Sequence, residues 1–262
     1  MRRTITPSGI VGAVLIATLM LIGAMWQPLD PHAVDLQATL QPPSFDHWLG
    51  TDHLGRDVAS RLLAGAQPSL LAILIVLISS LGIGLAAGIA ICFGPPGLSA
   101  FLRWLAETAL ALPTLISALL LSALFGAGLV AISAALIAST WAPYALSMAA
   151  LLERLRSEAY WQASLALGSD TLGAVRRHLI PNAWPMMGAL AGADAGRAVI
   201  LVASLGFLGL SADTGRPEWG AMIHEYRIFL FSEPQLVLAP VFTTALVALV
   251  LNRALDRGHR AG

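Results

Sequence analysis

Lysine is absent from this chain of 262 residues, and all 15 of its basic side chains are arginine. The phosphate loop G-x-x-x-x-G-K-[ST] depends on a lysine that reaches the terminal phosphates of a nucleotide, so this chain cannot hold ATP in that way. Any energy input must come from elsewhere. Charge of either sign is scarce, at 11% of residues where soluble domains have about 25%. The 15 arginines are balanced by 15 acidic residues, which argues against a polyanionic partner such as nucleic acid. The single cysteine, Cys92, lies in an apolar run, which excludes a disulfide framework and reads as a buried thiol. H-E-x-x-H, C-x-x-C and G-x-S-x-G are also missing, and the residues assign neither a catalytic residue nor a metal ligand.

What is present is apolar surface: 57% of residues are hydrophobic and the mean hydropathy is +0.76. The expected fold is all-α, a polytopic membrane helix bundle with six transmembrane helices. Apolar runs predict spans at residues 10–25, 70–93, 104–125, 129–151, 186–210 and 236–251. The first follows Arg2 and Arg3 and lacks a small-x-small cleavage site, so it reads as an uncleaved anchor. Residues 1–66 then form an anchor helix with an external loop, and residues 67–262 the transmembrane core with a cytoplasmic loop at 152–185. Pro113, Pro143 and Pro240 fall inside spans, where a missing backbone hydrogen bond kinks a helix. Arginine counting orients the bundle. With the amino terminus inside, Arg103, Arg154, Arg156, Arg176, Arg177 and Arg253 are cytoplasmic, and only Arg56, Arg61, Arg216 and Arg227 are external. Both termini are then cytoplasmic.

Two small-residue ladders predict close helix packing, Gly84 with Gly88 and Gly188 with Gly192 and Gly196. The second carries Asp194, with Arg197 three residues on. A charge at mid-membrane costs about 2.5–3.5 kcal/mol on insertion scales, so this pair must neutralise itself across one turn or face a wet cavity. Both alternatives stand at this point. Together with Glu107 these two are the candidate pathway residues.

Residues 160–185, YWQASLALGSDTLGAVRRHLIPNAWP, are short, mixed in charge and punctuated like two small helices joined by a turn. The helical period puts Tyr160, Ala163, Ser164 and Leu167 on one face. Gly168 can close that helix and Ser169 or Asp170 can cap the next. The second helix shows Leu172, Val175 and Leu179 on one side and Arg177 on the other, with Pro181 as its expected stop. The string Gln162-Ala163-Ser164, then Gly168, then Ile180-Pro181 resembles the cytoplasmic Glu-Ala-Ala signature of permease subunits in ATP-binding-cassette importers, with Gln162 where the signature has glutamate. The resemblance implies a coupling helix-turn-helix made by Gln162, Ala163, Ser164, Gly168, Ser169, Asp170 and Pro181, which fits a groove on an ATPase.

Two further stretches resemble the dipeptide, oligopeptide and nickel permeases. The external loop carries Asp30-Pro31, Pro43, then His47-Trp48-Leu49-Gly50-Thr51-Asp52-His53-Leu54-Gly55-Arg56-Asp57, Ser60-Arg61 and Gly65. Here Gly50 and Gly55 permit tight turns, Thr51 sits between them, and Asp52, Arg56, Asp57 and Arg61 can pair with one another. Downstream, Ser204-Leu205-Gly206-Phe207-Leu208-Gly209-Leu210 precedes Pro217-Glu218-Trp219-Gly220-Ala221-Met222.

The resemblance implies a subunit of the bacterial cytoplasmic membrane that contacts lipid. It would pair as a heterodimer with a homologous second permease, two ATP-binding subunits and an extracytoplasmic solute-binding protein. No cofactor would be bound by this chain, and ATP and magnesium would sit on the partner subunits. Nickel-type permeases place Asp-x-Gly in the fifth span, as Asp194-Ala195-Gly196 does, and read Ala-Ser as Ala163-Ser164 does. Peptide-type ones usually carry a glutamate where Val202 stands. Nickel or a metal chelate is therefore preferred over a di- or oligopeptide. An intramembrane enzyme using Asp194, Glu107, His47, His53 and His224 is the alternative from another class, and a purely structural membrane scaffold is a third.

Overall fold

The computed structural model describes residues 28–166, 170–211 and 216–256, together with Thr18. The expected first span at residues 10–25 lies outside them, apart from Thr18, as do Gly168, Ser169 and Leu167. The described chain is helical throughout, with a single isolated bridge between Thr51 and Asp57.

Helix α1, Val58–Phe93, is 36 residues long and so about 54 Å at 1.5 Å per residue. Asp57 starts it by accepting the Ser60 N–H at 2.8 Å. It begins well before the expected residue 70 and runs through Pro68, so the expected division at residue 66 falls inside a helix. Hydropathy misses this segment because its polar residues are covered by tertiary packing: Ser60, Arg61 and Ser69 are all buried.

Helices α2, Pro96–Ala111, and α3, Thr114–Phe125, replace the expected single span at 104–125. They meet at 106°. Pro113 has no N–H to continue α2 and holds Leu112 extended (φ −92°, ψ 136°), as the residue before a proline prefers. The next pair, α4, Leu129–Thr140, and α5, Ala142–Arg156, behaves differently. Trp141 between them keeps helical dihedrals (φ −73°, ψ −29°), and the two form one membrane-length helix. Pro143 is harmless there because it occupies the first turn of α5, where the N–H is not needed.

The short helices α6, Ala159–Ala166, and α7, Thr171–Ala174, come next, followed by a π-turn over Val175–Leu179 and then α8, Ile180–Leu205. Pro181 does not stop the second helix, contrary to expectation. The widened turn absorbs it, with the Ile180 N–H reaching the Val175 carbonyl, and the chain passes from α7 directly into the long α8. A second π-turn, Gly206–Leu210, ends α8. Helix α9, Trp219–Tyr226, folds back against it, and α10, Pro234–Asp256, completes the bundle with Pro240 inside. Among the described residues four helices are long and apolar enough to cross a membrane, or five if the bent α2–α3 pair counts as one.

The bundle is assembled through small residues. A Cβ on Gly84 would collide with the Cβ of Tyr144, and one on Gly88 would lie 2.6 Å from the Cβ of Met148. The first ladder therefore brings α1 to backbone contact with α5. Ser80 Oγ and Thr140 Oγ1, 2.7 Å apart, add a polar tie between α1 and α4. The second ladder is only partly used: Gly196 donates its N–H to Asn252 Oδ1 on α10 at 3.1 Å, whereas Gly188 faces open space. At the end of α8, Gly206 and Gly220 bring the π-turn onto α9, their backbones close enough that a Cβ on Gly206 would lie 2.9 Å from the Gly220 Cα.

Gly88→Leu should lower the thermal stability of the detergent-solubilised protein by at least the ~1–3 kcal/mol typical of overpacking. Gly82→Leu, on the same helix but facing open space, should stay within about 0.5 kcal/mol of the parent. A thermal-aggregation assay on the two variants checks the contrast.

Candidate functional site

A cavity of about 140 Å³ opens inside the bundle between α1, the α2–α3 bend, the α4–α5 junction and α8. Ser80, Thr114, Ser139, Thr140, Tyr144, Asp194 and Arg197 give it a polar lining, and Val76, Leu77, Ala198 and Leu201 an apolar one. The sequence left two options for Asp194 and Arg197; in the structure both line this cavity. Among the described residues no ion pair joins them. Arg197 Nη2 donates instead to Thr114 Oγ1 at 2.9 Å, while Asp194 shares the cavity wall with Tyr144. Arg197 is thus tied to α3 and not to its neighbour on α8. Such a cavity can present one cationic and one anionic group to a passing solute. Glu107 is exposed on α2 and takes no part in the lining.

The candidates at residues 160–181 divide by face. On α6 the inward side chains are Trp161 and Ser164, both buried, while Tyr160, Gln162 and Ala163 are exposed. The face expected from periodicity, with Tyr160, Ala163 and Ser164 together, is therefore split. Trp161, the residue left out of that face, is the anchor. Asp170 caps α7: its carboxylate accepts the Gly173 N–H at 3.1 Å and its carbonyl the Ala174 N–H at 2.9 Å. Val175 and Leu179 turn inward and Arg177 outward, as the period predicts. Pro181 is half-buried in the first turn of α8.

The loop before α1 forms a buried clamp. Gly50 and Gly55 take φ of +75° and +73°, and at Gly55 a Cβ would run into the Asp35 carbonyl, so each turn requires glycine. Thr51 accepts the Gln41 N–H at 2.9 Å, which folds the preceding strand of loop onto the motif. Asp52, completely buried, accepts from the N–H groups of Leu54 and Arg56, from Arg56 Nε at 2.7 Å and from the Tyr226 hydroxyl at 3.0 Å. Arg61 donates Nε to the Tyr226 oxygen at 3.1 Å and Nη2 to Glu225 at 3.1 Å. Arg56 reaches the other Glu225 oxygen. Burial pushes the Tyr226 phenol well above its usual range, which keeps it protonated as the donor to Asp52.

The clamp differs from the sequence expectation in two respects. Asp52 pairs with Arg56 and Arg61 as expected, but Asp57 pairs with neither arginine: it caps α1 and takes His47 Nδ1 at 3.0 Å. The partners that complete the clamp, Glu225 and Tyr226, come from α9 and were not singled out. Their signal was their position three and four residues after Met222 of the Trp219-Gly220-Ala221-Met222 run. Trp219 itself is tied to α1, its N–H to Ser69 Oγ at 3.1 Å and its indole to the Leu62 carbonyl at 3.0 Å. The other histidines do not form a catalytic set. His53 stacks on Phe229 at 5.3 Å, and His224 Nδ1 lies 2.7 Å from the Phe207 carbonyl. Ligand atoms of Asp52, His53 and Glu225 do come within 4.8 Å of one another. Two guanidinium groups already occupy both carboxylates, however, and their charge would repel a divalent cation.

Removing one partner from a buried ion pair leaves an uncompensated charge and costs about 3–5 kcal/mol. Arg61→Met and Glu225→Gln should each lower thermal stability by that order and expose residues 28–57 to added protease. Arg227→Gln, an exposed neighbour, should leave both readouts unchanged.

A family model described as "Binding-protein-dependent transport system inner membrane component" matches residues 80–261. The chain is 33% identical over 244 residues to the nickel transport system permease protein NikC of Escherichia coli, covering 91% of this chain and 86% of that one. It is equally 33% identical over 253 residues to the probable D,D-dipeptide transport system permease protein DdpC of Escherichia coli, covering 94% and 84%. Among solved structures, one titled as inward-facing conformations of the MetNI methionine ABC transporter shares the fold, with a TM-score of 0.58 and 18% identity over 76% of this chain and 97% of that one. Such systems work with ATPase and solute-binding partners, and the permease component performs no bond chemistry of its own. The chain therefore belongs to the binding-protein-dependent transport inner-membrane component family, as a multi-pass permease of the nickel and peptide branch of ATP-binding-cassette importers.

Proposed function

We propose that this permease passes nickel or another transition metal held by a small chelator, through the cavity that Asp194 and Arg197 line. The observation that carries the reading is that those two charges do not pair: Arg197 is tied to Thr114 on α3, and both residues line one cavity. A zwitterionic or anionic chelate meets a complementary group on either side there, and in a low-dielectric setting each contact counts for more than in water. The first two relatives bear on substrate without deciding it, since one is named for nickel and the other for D,D-dipeptides at the same identity. Di- or oligopeptide import is the second reading.

In this proposal the full chain has six spans with both termini in the cytoplasm, the first at residues 10–25. The loop at 152–185 is the cytoplasmic coupling element, offering Gln162 and Ala163 from its exposed face to an ATPase, with Gly168, Ser169 and Asp170 at the turn. The permease pairs with a homologous second permease. ATP and magnesium are held by the two ATPases, whose closure shifts the bundle between inward- and outward-open populations.

Reconstituted importer should take up nickel supplied with histidine, and uptake should fall when nickel is omitted. Uptake of labelled dialanine without metal dependence overturns the substrate assignment in favour of peptides. Asp194→Asn should cut uptake about tenfold, equivalent to about 1.4 kcal/mol, without loss of ATPase association. Reporter fusions at Asp46 should read external and those at Asp170 cytoplasmic, and an external signal at Asp170 would overturn the topology and the coupling role together.

A further inference from the structure

Helix α6 has eight residues, too few to hold its shape unaided, so whatever it transmits must leave through the contacts that fix it. The main one is Trp161, 5% exposed, whose ring lies 5.8 Å from that of Phe93, the last residue of α1. Phe93 is held a second time by Arg156, at the end of α5, whose guanidinium carbon sits 5.0 Å from the ring centroid. The same side chain donates Nη1 to the Cys92 carbonyl at 3.1 Å, fixing the carboxyl end of α1 against the carboxyl end of α5. A lighter tie runs to α8, where Asn182 Nδ2 reaches the Tyr160 hydroxyl at 3.4 Å.

We infer that Phe93, Trp161 and Arg156 form the joint through which movement of α6 enters α1, and that they are positioning residues for transport rather than contacts of the solute or the ATPase. The inference rests on the reading of residues 152–185 as the coupling element. Two routes lead from the joint to the cavity. One is α1 itself, which carries Ser80 in the cavity wall. The other is the packed cluster that contains Trp161, Met148, Leu152 and Tyr144, the last of which lines the cavity together with Asp194. Interiors packed in this way transmit displacement instead of absorbing it. An aromatic joint clamped by a cation resists shear and can be weakened without unfolding α6, because Arg156 is exposed.

The experiment uses the whole importer in inverted membrane vesicles, with Cys92→Ser and Ser139→Cys placing one reactive thiol in the cavity wall. A membrane-impermeant methanethiosulfonate reagent reads cavity access with and without trapping by ATP and vanadate, while co-purification reads ATPase association. With an intact joint, trapping should slow labelling at least about fivefold, that is by about 1 kcal/mol. Arg156→Gln and Trp161→Ala should shrink the change below about twofold with the ATPases still bound, and Trp161→Phe should restore most of it. A full response in Arg156→Gln and Trp161→Ala overturns the inference. So does loss of the ATPases from either, since the residues would then only support the docking surface. If trapping changes nothing even with the joint intact, the coupling reading itself fails, an outcome recognisable before any joint variant is measured.

Discussion

Arg61 holds one end of the molecule together. It sits in the first turns of α1, is 1% exposed, and reaches both Tyr226 and Glu225 on α9 as well as the Pro31 carbonyl of the loop before α1. A guanidinium so buried is tolerable only because its donors are fixed on pre-placed acceptors. Much on that side depends on this arrangement: Asp52 gathers the loop onto Arg56 and Tyr226, and Trp219 ties α9 to α1. The result is a rigid cap made from segments far apart in sequence.

The length of α1 gives the cap a mechanical meaning. A hydrocarbon core is about 30 Å thick and α1 is about 54 Å long, so the helix projects well beyond the core. Its amino end is locked into the clamp, its middle forms part of the cavity wall through Val76, Leu77 and Ser80, and its carboxyl end meets Trp161. Gly84 and Gly88 let α5 lie against the same helix at backbone distance. Any rearrangement of the cavity must therefore move α1 against a partner or move the partners around it.

Much of this was legible in the sequence, for identifiable reasons. The turns at Gly50 and Gly55, the Gly84–Gly88 contact and the cap at Asp170 are local requirements of backbone geometry, and local requirements leave residues of definite type at definite spacing. The spans after α1 were also placed approximately, because apolar runs report burial or lipid contact directly. Three features escaped. Glu225 and Tyr226 look like ordinary polar residues of a short helix until the fold brings them to Asp52, more than 170 positions away. Pro113 and Pro181 carry the same missing donor, yet one breaks a span and the other is absorbed by a π-turn. The difference lies in the preceding residue, extended at Leu112 but helical at Ile180, which tertiary packing decides. Trp161 was passed over because periodicity in an eight-residue segment cannot choose a face reliably, and one large side chain outweighs three small ones.

Charge in this bundle is handled in two ways. In the clamp, opposite charges meet directly and saturate one another, and the group serves the fold. In the cavity, Asp194 and Arg197 stand one turn apart on α8, where they could have paired at little cost, yet Arg197 is held by the neutral hydroxyl of Thr114 instead. A neutral partner satisfies hydrogen-bonding geometry without cancelling the charge, so the guanidinium keeps its field in the space it lines. Tyr144, which shares that wall with Asp194, also belongs to the cluster that contains Trp161. The wall of the cavity and the anchor of α6 are therefore parts of one packed body.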